Sequence, residues 1–159
     1  MPLVLGIDPG LSGALALLDS DGLPELVADL PIIRDCKLAW IDAARLQSTL
    51  LEALHGRPCR AAVERVSSSP QQGVASAFTF GVGFGSILAT VQTLRLPLEL
   101  VTPAEWKRAL GLSSDKRASL DKARLLFPTA DLSLAKHDGR AEALLLAHFA
   151  QTRRKEVTS

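Results

Sequence analysis

The chain has 159 residues, 47% hydrophobic and 22% charged, with a formal net charge of +1, which suits one folded domain and excludes both a disordered chain and an overall polycation. Cys36 and Cys59 stand in no metal-ligand spacing and read as two reduced thiols, which excludes a disulfide scaffold or zinc site as the organising feature. The apolar run 3–7 is too short to cross a membrane and no basic leader precedes it, so neither a membrane span nor a signal sequence is expected, and a cytoplasmic setting is.

Residues 2–8 form a short apolar strand closed by Asp8-Pro9-Gly10. Residues 13–19 and 23–33 read as the next two strands of an antiparallel meander, with Ser20-Asp21-Gly22 as a hairpin turn. Asp42 is placed to cap a helix over 43–54. A buried-looking strand follows over 60–66, with Glu64 near its end, and Ser67-Ser68-Ser69-Pro70 is a loop. A long glycine-containing helix is expected over 71–94 and a strand over 98–101. Thr102-Pro103 starts another helix, with Pro at its first position. A helix including 121–127 is stopped by Pro128, and the last begins near 137–139 and runs to about 151. The order β-β-β-α-β-α-β-α-α-α gives an α/β domain over 1–152, a mixed five-stranded sheet flanked by helices, with 153–159 as a basic, frayed tail.

Four carboxylates stand out. Asp8 and Glu64 each close an apolar strand, where an acid is costly unless paired, and in a sheet of this order those two strands can be neighbours. Two carboxylates that close raise each other's pKa unless a cation neutralises them. Asp138 and Glu142 are four residues apart, on one face of the last helix, among Ala141, Ala143, Leu144, Leu145 and Ala147. Oxygen ligands without thiolate or imidazole pairs suit Mg²⁺, with Mn²⁺ as substitute. Two such ions can activate water and stabilise the leaving oxygen in phosphodiester cleavage. Taken singly, each acid also has an ordinary explanation: Asp8 a turn residue, Glu64 a partner of Arg65 or Arg140, Asp138 a helix cap, Glu142 a solvated helical acid. His137 is a further candidate, ranked below the acids.

"GIDPGLSGALALL" at 6–18, "AVERV" at 62–66, "TPAEWKRALGL" at 102–112, "DKARLLFP" at 121–128 and "KHDGRAEALLLAHFA" at 136–150 resemble, in this order, the RuvC family of Holliday-junction resolvases, closest to its phage-type and plant chloroplast branch. The resemblance spans essentially the whole chain. It implies an RNase H-like fold and a homodimeric, Mg²⁺- or Mn²⁺-dependent endonuclease that resolves four-way DNA junctions by symmetric nicks. It implies that Asp8 and Glu64 are the first- and fourth-strand acids, and that Asp138 and Glu142 are the last-helix pair. Some members carry His at the position of Asp138. Bacterial members space the last pair by three rather than four and place an aromatic residue where this chain has Ser67-Ser68-Ser69.

The net charge is −3 over 1–60 and +4 over 61–159, so a phosphate-facing surface belongs to the second part. Lys107 and Lys116 match basic positions of the family. With Arg117, and Arg140 as a weaker candidate, they are the expected DNA contacts. The Gly-rich stretch 73–85 resembles a glycine-aromatic segment of the chloroplast branch, so Phe80 and Phe84, with Phe78, are candidates for base stacking, though core packing accounts for at least one. Trp106 reads as packing. Arg153-Arg154-Lys155 either touches DNA or simply frays. Other readings are a different RNase H-like nuclease, acting on flaps, branched DNA or RNA–DNA hybrids, a non-catalytic junction-binding module, and an ATPase of the actin/sugar-kinase superfamily, for which the chain is too short.

Overall fold

The computed structural model describes residues 2–36, 38–67 and 73–157, the last four by backbone alone. The loop serines 68 and 69, the expected helix start at 71 and the side chains of Arg154 and Lys155 lie outside the described residues.

Strands β1 (Leu3–Asp8), β2 (Ala14–Leu18), β3 (Pro24–Asp29), β6 (Cys59–Glu64) and β7 (Leu98–Val101) form one mixed sheet in the order β3-β2-β1-β6-β7. The first three are the expected antiparallel meander, and β1 then runs parallel to β6, as β6 does to β7. The expected third strand to residue 33 is instead two elements. β3 stops at Asp29, and β4 (Ile32–Asp35) turns back into β5 (Leu38–Ile41) as a separate hairpin. Leu30 is buried and donates its N–H to the Gly13 carbonyl (3.0 Å), ending the pairing where β2 begins.

Alternation sorts the strand residues between two cores. Leu3, Leu5, Ile7, Leu15, Leu17, Ala61 and Val63 face α1 (Ala43–Leu54), α2 (Val74–Thr93) and the hairpin. Val4, Ala14, Ala16, Leu18 and Ala62 face α3 (Pro103–Ala109), α4 (Lys116–Leu126) and α5 (Asp138–Val157). That second face is built of small residues, so α5 comes very close. A Cβ on Gly6 would collide with the Ala143 carbonyl and stand 2.7 Å from Ala147 N.

Asp42 caps α1 by accepting from Arg45 N (3.0 Å), and Thr102 caps α3 by accepting from Glu105 N (3.3 Å), both as expected. Two elements differ from expectation. α2 carries no charge over 20 residues and is long and apolar enough to meet the composition of a membrane span, correcting the reading that no segment does; its buried residues are Gly83, which faces Ile41 of β5, Thr90, and Ile87 and Val91, which join the core shared with α1 and the sheet. α5 continues to Val157, because Arg153, expected in a frayed tail, ion-pairs with Glu99 and with Glu105 and lies 5.2 Å from the Phe149 ring.

Candidate active site

Strand register assembles half of the acidic group. In the parallel pair, Ile7 lies beside Val63, so Asp8 and Glu64 are the next residues along, and alternation turns both side chains to the α5 side. α5 begins above this strand end. Its residue 139 must be glycine, because a Cβ there would stand 2.6 Å from the Ser12 carbonyl oxygen and 3.3 Å from Asp8 Oδ2. The first turns of α5 therefore bring Asp138 and Glu142 over Asp8.

Burial is the largest cause of an Asp8 pKa raised from 3.8 to about 8, followed by the charges of Glu142 and Glu64; Lys116 opposes the shift and Asp138 adds to it. The Glu64 carboxyl is also pushed up, first by burial. The Trp106 hydrogen bond works against that shift, Glu142 adds to it, and Lys107 and Lys116 oppose it. Asp8 thus feels all three of the other predicted acids, and Glu64 feels Glu142. Glu64 and Glu142 are buried, and Asp8 and Asp138 partly so.

Two lysines compensate part of this charge. Lys107 Nζ donates to Glu142 Oε1 (2.8 Å), and Lys116 Nζ to Asp138 Oδ2 (2.7 Å). The Asp138 bond is the main reason that the Lys116 pKa is raised. As they stand, the carboxylates are not drawn around one point. Among the described residues no three His, Cys, Asp or Glu side chains are close enough to share a metal ion. The donor chemistry nevertheless fits a hard divalent cation: oxygen atoms only, a deficit of positive charge, and two carboxylates whose present partners are displaceable ammonium groups.

The other expected site residues divide. Lys107 and Lys116 join the cluster. Arg117 is exposed and lines a groove of about 430 Å³ with Lys116, Arg124 and Asp138. Arg140 is not part of the cluster: it donates to Asp29 (2.6 and 3.0 Å) and to Asp131 (2.8 Å), tying α5 to β3 and to the loop before it. His137 is buried with Nδ1 accepting the Leu134 N–H (3.4 Å), so that nitrogen serves the turn leading into α5. Phe84 packs against the α1–α2 core, whereas Phe80 lines an apolar groove beside Gly10, just beyond Asp8; Phe78 is 73% exposed.

One residue of the site, which the sequence marks mostly as packing, is Trp106. Trp106 is fully buried, and its Nε1–H donates to Glu64 Oε2 (2.8 Å). The available signal was general: a buried indole N–H needs an acceptor, and the only acids near it in sequence, Glu99 and Glu105, are far better solvated than Glu64.

Neither a protein-family model nor a curated protein matches the sequence. Solved structures do. Thermus thermophilus RuvC in complex with a Holliday-junction substrate is 20% identical, aligns over 96% of this chain and 96% of its own, and has a TM-score of 0.67. The Thermus thermophilus RuvC structure is 21% identical over 97% and 96%, with a TM-score of 0.58. The yeast mitochondrial Holliday junction resolvase Ydc2 is 17% identical over 98% and 82%, with a TM-score of 0.46. Matched along nearly its whole length, the chain is an α/β protein with the RNase H-like fold of Thermus thermophilus RuvC.

Proposed function

We propose that the chain is a divalent-cation-dependent endonuclease that resolves four-way DNA junctions as a homodimer, by paired symmetric nicks. One observation carries the reading: the Asp8–Glu64 strand pair lies under the Asp138–Glu142 face of α5, and their combined charge with burial lifts the Asp8 pKa to about 8. A cluster so short of positive charge stabilises itself by taking up cations. The fold shared with a junction-bound RuvC supports the substrate, and the ordered motifs from 6–18 to 136–150 support the phage-type and chloroplast branch.

In this reading Asp8, Glu64, Asp138 and Glu142 hold Mg²⁺, for which Mn²⁺ substitutes. The bound ions supply an activated water and charge stabilisation at the leaving oxygen. Lys107, Lys116 and Arg117 border the acids and bind the phosphates flanking the cut. Phe80, in the groove beyond Asp8, is placed for a base, whereas Phe84 contributes through packing. The second copy uses α2, whose Val74, Phe78 and Val82 recur every four residues and are 87%, 73% and 43% exposed. Residues 1–152 form the nuclease domain, and α5 extends it through Arg153.

The deciding experiment compares purified wild-type protein with Asp8→Asn on four-way, three-way, flap, hybrid and linear substrates, with Mg²⁺ and with Mn²⁺. Symmetric nicking of the four-way junction by wild type alone is expected, with junction binding retained by the variant. Cleavage by Asp8→Asn refutes the site. Preference for flaps or RNA–DNA hybrids reassigns the substrate, and binding without cleavage by wild type indicates a junction-binding module.

A further inference from the structure

α3 is only seven residues long, yet it reaches two of the four acids. It starts at the Thr102 cap with Pro103 at its first position, which fixes its direction off β7. Trp106 and Lys107 then face inward, Lys107 with its Nζ 5.0 Å from the Trp106 ring centroid and bonded to Glu142. Trp106 belongs to the same apolar core as Ala62, Val101, Leu120 and Leu146. An indole has two side-chain torsions, and complete burial holds both, so the direction of its N–H is set by the core rather than by the site. That N–H is a donor only, and it meets Glu64 Oε2 at 2.8 Å. The carboxylate is thereby held at one oxygen, and among the described residues no hydrogen bond to Oε1 accompanies it.

We propose that Trp106 is a positioning residue for Glu64 and a determinant of which cation the site takes. This rests on the reading of the acids as a metal site. The indole takes one lone pair of Oε2, fixes the carboxylate plane and lowers the donor strength of that oxygen, which favours ligation through Oε1 alone over two-oxygen ligation. One-oxygen ligation suits the small octahedral ions Mg²⁺ and Mn²⁺. Ca²⁺ is larger, takes six to eight oxygens and readily uses both oxygens of a carboxylate. Trp106 thus favours the smaller ions by disfavouring two-oxygen ligation. Partners that orient metal ligands in this way change metal affinity by about 10–100-fold when removed.

The test measures Mn²⁺ and Ca²⁺ affinity by calorimetry on wild-type protein, Trp106→Phe, Glu64→Gln and the double variant. Trp106→Phe is expected to weaken Mn²⁺ about tenfold and leave Ca²⁺ within about threefold, with no further loss of Mn²⁺ affinity when added to Glu64→Gln. Equal weakening of both ions, or full additivity with Glu64→Gln, overturns the proposal. The indole N–H resonances decide independently, including where Trp106→Phe does not fold. With Trp40→Phe leaving one indole, the Trp106 resonance is expected to move upfield in Glu64→Gln, and an unmoved resonance overturns the proposal. Mn²⁺ binding that is indifferent to Asp8→Asn instead sinks the metal-site reading itself, and is recognised as such because the indole resonance still reports the Glu64 contact.

Discussion

Replacing Asp8 by Asn is expected to stabilise the metal-free protein while abolishing its activity. In the folded chain Asp8 keeps its proton to about pH 8, against 3.8 for an ordinary aspartate. Between these values the folded state binds a proton that the unfolded state has released. Stability therefore falls as the pH rises through that window and levels off above about pH 8. At about 1.4 kcal/mol per pKa unit, the shift sets a ceiling of about 6 kcal/mol, and relaxation of the neighbouring acids and solvent reduces it to roughly 2–4 kcal/mol. Asn has the size of the protonated acid and no charge to bury. In EDTA near pH 8, Asp8→Asn should melt about 5–12 °C above wild type, and near pH 4.5 the two should nearly coincide. Added Mn²⁺ should then raise the wild-type Tm and barely move that of the variant. Differential scanning fluorimetry across the pH range reads all of this. A Tm difference that is the same at both pH values, or a variant less stable than wild type near pH 8, refutes the electrostatic account of the cluster.

Other substitutions separate the parts of the site. Lys116→Met should tighten Mn²⁺ binding a few-fold, since the ion no longer displaces an ammonium from Asp138, while weakening junction binding and flattening its salt dependence by about one unit of slope; weaker Mn²⁺ binding in fluorescence-quench titrations counts against the displacement. Arg140→Ala should lower stability by about 1–2 kcal/mol through loss of the Asp29 and Asp131 bonds, with junction affinity within about twofold by gel shift. A large affinity loss would restore Arg140 to the DNA surface. Gly139→Ala should cut Mn²⁺ affinity at least about tenfold while costing less stability than Gly6→Ala, because its Cβ meets the Ser12 carbonyl (2.6 Å) and crowds Asp8 Oδ2 (3.3 Å), shifting the start of α5 at the site, whereas that of Gly6 strikes the α5 backbone along the sheet at closer range; equal effects on Tm and metal binding would contradict this. Phe78→Asp should give a monomer by light scattering at micromolar concentration, and a persisting dimer would place the second copy elsewhere.

Much of the fold was legible because this chain marks its elements clearly. Thr102-Pro103 and Asp42 announce helix starts, and the short apolar run closed by Asp8-Pro9-Gly10 announces β1 and its end. The four acids could be picked out because strand ends and a helical i,i+4 pair are local patterns. The separate β4–β5 hairpin was not read: Pro31 marks the break inside 23–33, but where the chain then goes depends on burying Leu30 and bonding it to Gly13, a contact between distant residues. The Arg140 partners were hidden for the same kind of reason, since Asp29 lies 111 residues away. The Trp106–Glu64 bond and the lysine partners of Glu142 and Asp138 likewise exist only once α3, α4 and α5 are packed on one sheet face. Local patterns located the charges; the packing decided how each is answered.

The lysine pairs also bear on the order of assembly. With Lys107 and Lys116 bound to Glu142 and Asp138, the cations nearest the site are turned inward upon its own acids. On the proposed reading, a DNA phosphate approaching these acids would meet carboxylates whose counter-charges are already committed. On the same reading, a divalent ion bound there would take the place of the ammonium groups on Glu142 and Asp138 and free both lysines for phosphate. Metal and DNA would then be thermodynamically linked through two side chains, each binding more tightly in the presence of the other by the same factor whichever is added first.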